Sequence, residues 1–218
     1  MDQEINAIFF KPPISSNFIG HQMAEVYKDQ VYAPFLNGKK DLTILDIGAN
    51  IGITSYYFSQ FAKQVYSLEP SREHFMILCK MIEFNGLKNV KPIKKAIFME
   101  DKSLPFFHNK NKTMNSLHMA VNDNSSPSEE VECITFDTLF ENEKIEHVDF
   151  MKLDVEGSEV EVLSSEGFRK VAPKIDLIIL EVHQWNGRHP NQIKDALKSN
   201  GFTVDQIPND ANILVAKK

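Results

Sequence analysis

The chain has 218 residues, an apolar content of 42%, a charged content of 25% and a formal net charge of −6. This length and composition predict one globular domain with a full hydrophobic core, plus at most a small appendage. The negative charge gives no overall attraction to nucleic acid or anionic lipid, no apolar run is long enough to span a bilayer, and two cysteines are too few for a zinc cluster or a disulfide framework. We therefore expect a cytoplasmic protein that binds neither nucleic acid nor membrane.

Residues 1–37 precede the first strongly apolar strand and are predicted to form a helical segment of their own. Apolar residues recur at helical spacing over 20–36. This segment either packs on the sheet or covers the site as a lid, with Tyr27 or Tyr32 as the covering side chain. Residues 38–218 are predicted to form a single domain.

A strand, a tight turn and a helix are predicted over residues 42–61. The run Leu42–Ile47 is rich in leucine and β-branched residues, which is typical of a strand buried on both faces. Gly48 and Gly52 allow the chain to turn sharply and to approach a ligand closely. Because open α/β sheets bind ligands at the carboxyl ends of parallel strands, this turn is a candidate site for a nucleoside cofactor.

A second strand, over 64–68, ends in Glu69, and a helix with Ser71 at its N-cap follows. Two successive strand–helix units favour a parallel sheet with right-handed crossovers. The tip of the second strand lies beside the turn of the first, where carboxylate oxygens can accept hydrogen bonds from the 2′- and 3′-hydroxyls of a ribose. We therefore predict that Glu69 binds a ribose rather than being an ordinary surface carboxylate.

The third strand is predicted over 90–99 and includes Ala96 and Ile97. Residues 101–132 then change in character, because polar loops alternate with short apolar runs. These runs, over 104–107, 116–120 and 131–136, are predicted as strands. This excursion from the core is either a solvated hairpin or part of the substrate pocket, since loops at the ligand edge of such sheets often carry function.

Charged residues also occupy the end of a strand that is predicted to begin at Val148 and to end before Gly157, which introduces a helix. Lys152, Asp154 and Glu156 alternate along it and therefore share one face. Burying three charges on one face is costly unless they pair with one another or bind a ligand. Asp154 and Glu156 are therefore candidate site residues, and Lys152 is their expected counter-charge.

A further strand, over 175–180, is followed by Glu181 and His183 on the same side. The last two strands, over 202–207 and 212–216, are joined by a link too short for a crossover helix, so they must be antiparallel. The carboxyl ends of the parallel strands share one edge, which predicts an active-site rim. The polar residues at these ends are Asp46, Glu69, Asp154, Glu181 and His183.

The turn over 46–52 lacks the glycine spacing of a dinucleotide fingerprint, because Ala49-Asn50 stands where that fingerprint requires its second glycine. Asp46 would repel a pyrophosphate but attract the ammonium of an amino-acid moiety. S-adenosylmethionine carries an ammonium, a sulfonium, a ribose and an adenine but no phosphate, so the acidic rim favours it over NAD. The alternatives are a nicotinamide-dependent oxidoreductase and a non-catalytic protein that binds S-adenosylmethionine.

Three motifs can be read together, and they are Asp46-Ile47-Gly48-Ala49-Asn50-Ile51-Gly52, Leu68-Glu69-Pro70 and Lys152-Leu153-Asp154-Val155-Glu156-Gly157-Ser158-Glu159. Together they resemble the motifs of the FkbM family of S-adenosylmethionine-dependent methyltransferases. The first two occur in many such enzymes, whereas the third is much more specific to the family. The resemblance covers residues 43–183 and implies a Rossmann-like α/β fold, with a seven-stranded sheet, helices on both faces and an antiparallel last strand. It also implies O-methylation of a hydroxyl on a small molecule such as a sugar or glycoside.

The resemblance also implies where the cofactor binds. The methionine part would contact the first turn, the ribose would contact Glu69, and Asp154 would lie beside the methyl group. The residues implied for the methionine part are Gly48, Asn50 and Gly52, and those implied for the adenine are Ala96 and Ile97.

Methyl transfer to a hydroxyl needs a base or a metal ion, because a hydroxyl is a weak nucleophile at neutral pH. His183 is the first candidate base, since the ordinary pKa of histidine suits a base near pH 7. Asp154 is the second candidate. A third interpretation is that Asp154, Glu181 and His183 hold a hard divalent cation that lowers the pKa of the hydroxyl.

Overall fold

The computed structural model describes residues 23–107, 117, 129–183, 190–207 and 212–218, which form two β-sheets and the helices that cover them. In chain order the strands are β1 (Leu42–Ile47), β2 (Ala62–Leu68), β3 (Val90–Ile93), β4 (Ala96–Ile97), β5 (Lys102–Phe106), β6 (Glu129–Ile134), β7 (Phe150–Leu153), β8 (Leu177–Glu181), β9 (Thr203–Gln206) and β10 (Ile213–Lys217). The α-helices are α1 (Ala33–Leu36), α2 (Ile53–Ser59), α3 (Arg72–Phe84), α4 (Phe136–Glu143), α5 (Glu159–Ser164), α6 (Glu166–Val171) and α7 (Pro190–Ser199). A π-helical turn, Ala24–Lys28, precedes α1, and a 3-10 turn, Ala172–Lys174, follows α6.

The larger sheet has seven strands within the described residues, in the spatial order β3-β2-β1-β7-β8-β10-β9. Strands β1, β2, β3, β7 and β8 are parallel, whereas β10 is antiparallel to both of its neighbours, β8 and β9. The predicted Rossmann-like α/β fold with an antiparallel last strand is confirmed. The strand order reverses between β1 and β7, so the carboxyl ends of these two strands border the crevice where such sheets bind ligands.

β1 lies at the centre of this sheet, and all six of its residues are buried because helices cover both faces. Leu45 and Ile47 belong to the core on one face, together with side chains of α4, α5, α6 and α7. Ile44 belongs to the core on the other face, together with side chains of α2 and α3. The alternation along β1 therefore divides its apolar residues between two cores, as expected for a strand buried on both faces.

The third predicted strand, over 90–99, is divided between the two sheets. β3 pairs with β2 at the edge of the larger sheet, whereas Ala96 and Ile97 of β4 pair in parallel with Cys133 and Ile134 of β6. Among the described residues, the smaller sheet has the order β4-β6-β5. The prediction of one continuous strand is wrong because the chain leaves the edge of the larger sheet to pair with a segment much later in sequence.

The helix predicted over 20–36 is also divided. Within its described part, from residue 23 on, the π-helical turn and α1 are separate, because Gln30 between them has a φ of 51°, which a right-handed helix does not allow. Residues 1–22 lie outside the described residues, and so does the apolar run predicted as a strand over 116–120, apart from Leu117. None of the helices in the described ranges has the length and apolar character that a membrane span requires.

Candidate active site

An open cleft lies at the carboxyl ends of β1, β2 and β7, with a volume of about 580 Å³ that includes space open to solvent. The segments that follow these three strands supply its polar lining, and side chains of β4 and β5 supply part of its apolar lining. Two of the predicted cofactor residues, Asp46 and Gly52, are buried outside this lining. The predicted residues that do line the cleft are Gly48, Asn50, Glu69, Ala96, Ile97 and Asp154.

The chain packs tightly at Gly48. Its φ is 76°, and a Cβ atom placed on it would lie 2.0 Å from the backbone oxygen of Asp154. The N–H groups of Gly48 and Ala49 both donate to the carbonyl of Leu68, at 3.0 and 2.9 Å. Glycine is required here because the turn after β1 is held against the ends of both β2 and β7.

Gly52 allows a different close approach. Its φ is 95°, and an added Cβ atom would lie 2.4 Å from Met81 Cε and 2.7 Å from Leu78 Cδ1. Both of these side chains belong to α3, so Gly52 lets the start of α2 pack directly against that helix. Gly52 therefore supports the turn by packing beneath it rather than by lining the cleft.

Asp46 and Lys152 form a buried charge pair beneath the cleft. They are register neighbours on β1 and β7, and Asp46 Oδ1 lies 3.9 Å from Lys152 Nζ. The hydroxyls of Thr54 and Ser55 donate to Asp46 Oδ2, at 2.8 and 2.6 Å. Burial raises the pKa of Asp46, while the charge of Lys152 and the two hydroxyls lower it. Asp46 thus ties β1 to β7 and to α2.

Lys152 also connects this pair to the cleft. Its side chain is buried, and Nζ donates to the Gly48 carbonyl at 3.0 Å and to Asp154 Oδ2 at 3.1 Å. A single ammonium group therefore lies between two carboxylates and holds the turn after β1. This position is the one expected of a counter-charge.

Glu69 lies in the cleft wall after β2. The N–H of Asn50 donates to its Oε2 and the N–H of Ser71 donates to its Oε1, both at 2.9 Å. Burial raises the pKa of Glu69 to about 7, although the two hydrogen bonds oppose this rise. Each carboxylate oxygen has a further lone pair, so Glu69 can also accept hydrogen bonds from a ligand. His74, whose Nδ1 lies 3.9 Å from Glu69 Oε1, shares this wall, and no sequence pattern singles it out.

His183 lies among four carboxylates at the other end of the site. Its Nδ1 is 2.8 Å from Glu159 Oε1. Its Nε2 is 3.2 Å from Glu156 Oε2, 3.8 Å from Glu181 Oε1 and 4.0 Å from Asp154 Oδ1. The structure therefore brings together the two predicted catalytic residues, Asp154 and His183, together with Glu156 and Glu181.

The carboxylates favour positive charge at this end of the site. Burial opposes the charged form of His183, but the hydrogen bond with Glu159 and the charges of Asp154 and Glu156 outweigh burial and raise the pKa of His183 to about 10. Burial and the charge of Asp154 raise the pKa of Glu156 to about 8. Both shifts favour the protonated forms of the two side chains.

Three of these residues are also close enough to share a metal ion. Asp154, Glu156 and His183 each offer one ligand atom, and these atoms all lie within 4.8 Å of one another. The set predicted from the sequence has Glu181 in place of Glu156. Its Oε1 lies 3.8 Å from His183 Nε2, so Glu181 borders the same group.

Glu159 is the buried residue of this cluster that the sequence did not identify as a site residue. It belongs to the quoted motif, but an acidic residue in the first turn of a helix is favoured there without any role in a site. In the structure it is fully buried at the start of α5. Its burial is explained by its contact with His183, a residue that follows β8 and is distant in sequence.

The two tyrosines considered as lid residues have different environments. Tyr27 is partly exposed and packs edge-on against Tyr57, with ring centroids 5.7 Å apart. Tyr32 is buried against Phe58, with ring centroids 5.1 Å apart. Tyr32 and Asp154 also line a second, smaller cavity, whose volume of about 210 Å³ includes space open to solvent. Asp154 therefore borders both the large cleft and this cavity.

The fold is similar to that of several solved methyltransferases. Magnesium protoporphyrin IX methyltransferase from Synechocystis PCC 6803, solved with bound SAM, has a TM-score of 0.57 and 14% identity, covering 99% of this chain and 90% of that one. A putative methyltransferase from Streptococcus mutans, in complex with SAH, has a TM-score of 0.52 and 14% identity, covering 87% and 97%. Precorrin-6y C5,15-methyltransferase from Geobacter metallireducens GS-15 has a TM-score of 0.51 and 12% identity, covering 87% of both chains.

These similarities show the fold, which is the Rossmann-like α/β fold that these proteins share. The model of the methyltransferase FkbM domain matches residues 46–204, so the chain belongs to the FkbM methyltransferase family. The family resemblance predicted from the sequence motifs is thereby confirmed. Among curated proteins, no sequence matches the chain.

Proposed function

We propose that the protein transfers a methyl group from S-adenosylmethionine to a hydroxyl oxygen of a small molecule, such as a sugar or glycoside. The observation that carries this proposal is that Asp154 joins two differently built halves of one site. On one side lies the cleft with the glycine turn and Glu69. On the other side lies the cluster of His183 and carboxylates, which can accept a proton.

The cleft has the groups that this cofactor needs. Asn50 lines it, and the buried side-chain oxygen of Asn50 has no hydrogen-bond partner among the described residues, so it can accept a bond from an ammonium group. Glu69 can accept bonds from a ribose, and Ala96, Ile97 and Phe106 offer apolar contacts to an adenine. Asp46 lies beneath the cleft and holds Lys152, and Gly52 packs the turn against α3. Two structurally similar proteins were solved with S-adenosylmethionine (SAM) or S-adenosylhomocysteine (SAH), which supports S-adenosylmethionine as the cofactor.

The catalytic roles follow from position and charge. S-adenosylmethionine supplies an electrophilic methyl group on a positively charged sulfur. The acceptor oxygen loses its proton to Nε2 of His183, the ring nitrogen that faces Asp154 and Glu156. When S-adenosylmethionine is bound, its sulfonium would add a positive charge to the site and would therefore oppose the rise in the pKa of His183. Asp154, between the two halves, orients the groups that react.

The acceptor class is inferred from the site, because methyltransferases with this fold act on varied acceptors. Four carboxylates face a single imidazole at the transfer end of the site. This charge, together with the net charge of −6, disfavours polyanionic acceptors such as nucleic acid. A neutral or cationic small molecule with a hydroxyl group fits better.

The test is a screen of hydroxylated sugars and glycosides in which conversion of S-adenosylmethionine to S-adenosylhomocysteine is measured. We expect His183→Ala to lower kcat by about 10²–10⁴ on the acceptor found, with unchanged affinity for S-adenosylhomocysteine. His147→Ala is the matched control, because His147 also lies between two aspartates but before β7, at the opposite edge of the sheet. Absence of turnover on every hydroxylated acceptor, despite tight cofactor binding, would contradict the proposal, and protection by NAD would favour an oxidoreductase.

A divalent cation at Asp154, Glu156 and His183 is the alternative way to activate the hydroxyl. The observation that favours it is the spacing of their three ligand atoms, all within 4.8 Å. The two mechanisms separate in the same screen when it is run with a chelator and with added Mg²⁺. Activity that resists the chelator supports His183 as the base, whereas activity that is lost and then restored by Mg²⁺ supports the cation.

Cofactor affinity is expected to fall as the pH is lowered through about 7. The ionised carboxylate of Glu69 accepts hydrogen bonds from both ribose hydroxyls, and burial raises the pKa of this group to about 7. The ionised fraction therefore increases between about pH 6 and pH 8, and affinity should change by up to about tenfold per pH unit below the pKa. Calorimetric titration with S-adenosylhomocysteine measures this. Glu69→Gln should bind weakly and without this pH dependence, and an equal pH dependence in the variant would refute the ribose role.

A further inference from the structure

We propose that Glu159 is a positioning residue that fixes the ring of His183, so that Nε2 faces Asp154 and Glu156. The carboxylate of Glu159 is fully buried, and its Oε1 lies 2.8 Å from His183 Nδ1. The same oxygen accepts the backbone N–H of Gly157 at 3.0 Å. The inference rests on the proposed function, because it assigns a role to the contact of Nδ1, the ring nitrogen of His183 that does not face the acceptor.

The contact determines which nitrogen of the ring faces the transfer site. An ionised carboxylate can only accept a hydrogen bond, so Nδ1 of His183 donates when it bonds to Glu159. Nε2 is then the nitrogen that faces the other carboxylates, 3.2 Å from Glu156 and 4.0 Å from Asp154. A ring that rotated or adopted the other tautomer would turn its basic nitrogen away from the transfer site.

The backbone between Glu156 and Glu159 has a conformation that permits this arrangement. Glu156 has a φ of 51° and Gly157 a φ of 100°, so two successive residues adopt left-handed conformations. A positive φ is unfavourable for a glutamate, and such strain is retained where the surrounding structure requires it. The resulting turn places Glu156 against one ring nitrogen of His183 and Glu159 against the other. The same contact would orient His183 as a ligand if it binds a cation through Nε2.

The first test is NMR of the full chain with ¹⁵N-labelled histidine, without any acceptor. We expect a slowly exchanging, strongly downfield Nδ1–H proton in the wild type and in the control His147→Ala, and its loss in His183→Ala and Glu159→Ala. Glu159→Gln should keep a weaker form of the signal, because an amide oxygen can still accept from Nδ1–H. A signal that persists in Glu159→Ala would overturn the proposal.

The second test is kinetic and separates positioning from structural support. Glu159→Ala should lower kcat by about 10²-fold with unchanged KM for S-adenosylmethionine, and Glu159→Gln should recover part of this loss. Glu166→Gln, which removes an exposed carboxylate from α6, should retain the wild-type kcat. Wild-type kcat in Glu159→Ala would overturn the proposal. If the NMR signal behaves as expected but no hydroxyl acceptor is methylated, the function proposed above fails while the Glu159–His183 contact stands.

Discussion

Replacing Lys152 with methionine is expected to lower the free energy of unfolding by about 3–5 kcal/mol and to abolish cofactor binding. Methionine keeps much of the length of lysine, but it carries no charge and donates no hydrogen bond. The substitution removes the bonds from Nζ to Gly48 and Asp154 and the charge that lies 3.9 Å from Asp46. The buried Asp46 and the partly buried Asp154 then lose their shared cation, and the turn that would contact the cofactor loses its anchor.

Chemical denaturation and calorimetric titration with S-adenosylhomocysteine measure the two effects separately. Lys170→Met is the matched control, because Lys170 also pairs with an aspartate, at 2.8 Å from Asp137, but is exposed to solvent. We expect little change in stability and none in cofactor affinity for that variant. Equal stability of the two variants would show that Lys152 does not balance the buried charges.

A double variant tests whether uncompensated charge is the cause. Asp46→Asn combined with Lys152→Met removes one of the carboxylates that lose their partner, and an asparagine oxygen can still accept from Thr54 and Ser55. Part of the lost unfolding free energy should therefore return. If the double variant is less stable than Lys152→Met alone, the loss comes from packing rather than from charge.

The parts of this site that the sequence predicted depend on local patterns and on one property of parallel sheets. An apolar run followed by glycine predicts both β1 and the turn at Gly48. An acidic residue at the end of the next strand predicts that Glu69 lies beside that turn, because adjacent parallel strands end at the same edge. The same reasoning places Asp154 there, and all three residues line one cleft.

The parts that it did not predict depend on pairing between distant segments. Ala96 and Ile97 continue an apolar run, and only their pairing with Cys133 and Ile134 shows that they belong to a different sheet. Likewise, the burial of Glu159 is explained by its contact with His183, which no local pattern encodes. A strand or helix signal is local, whereas register and side-chain partners are set by the assembled fold.

Gly48→Ala is expected to reduce cofactor affinity by at least about tenfold and to destabilise the fold, because it combines backbone strain with a steric clash. The φ of 76° disfavours any residue with a Cβ atom, and that atom would lie 2.0 Å from the backbone oxygen of Asp154. Backbone atoms cannot move aside as a flexible side chain can. The end of β7 must therefore shift, and Asp154 and the cleft wall shift with it.

Gly38→Ala separates these two causes. Gly38 has nearly the same φ, 80°, but an added Cβ atom there has nothing within 4 Å. The control should therefore show only the strain of a left-handed conformation, about 1–2 kcal/mol, with unchanged affinity for S-adenosylhomocysteine. The difference between the two variants then measures how much the cofactor site depends on close contact between the turn after β1 and the end of β7. If the two variants lose equal stability and both keep wild-type affinity, that contact does not shape the site.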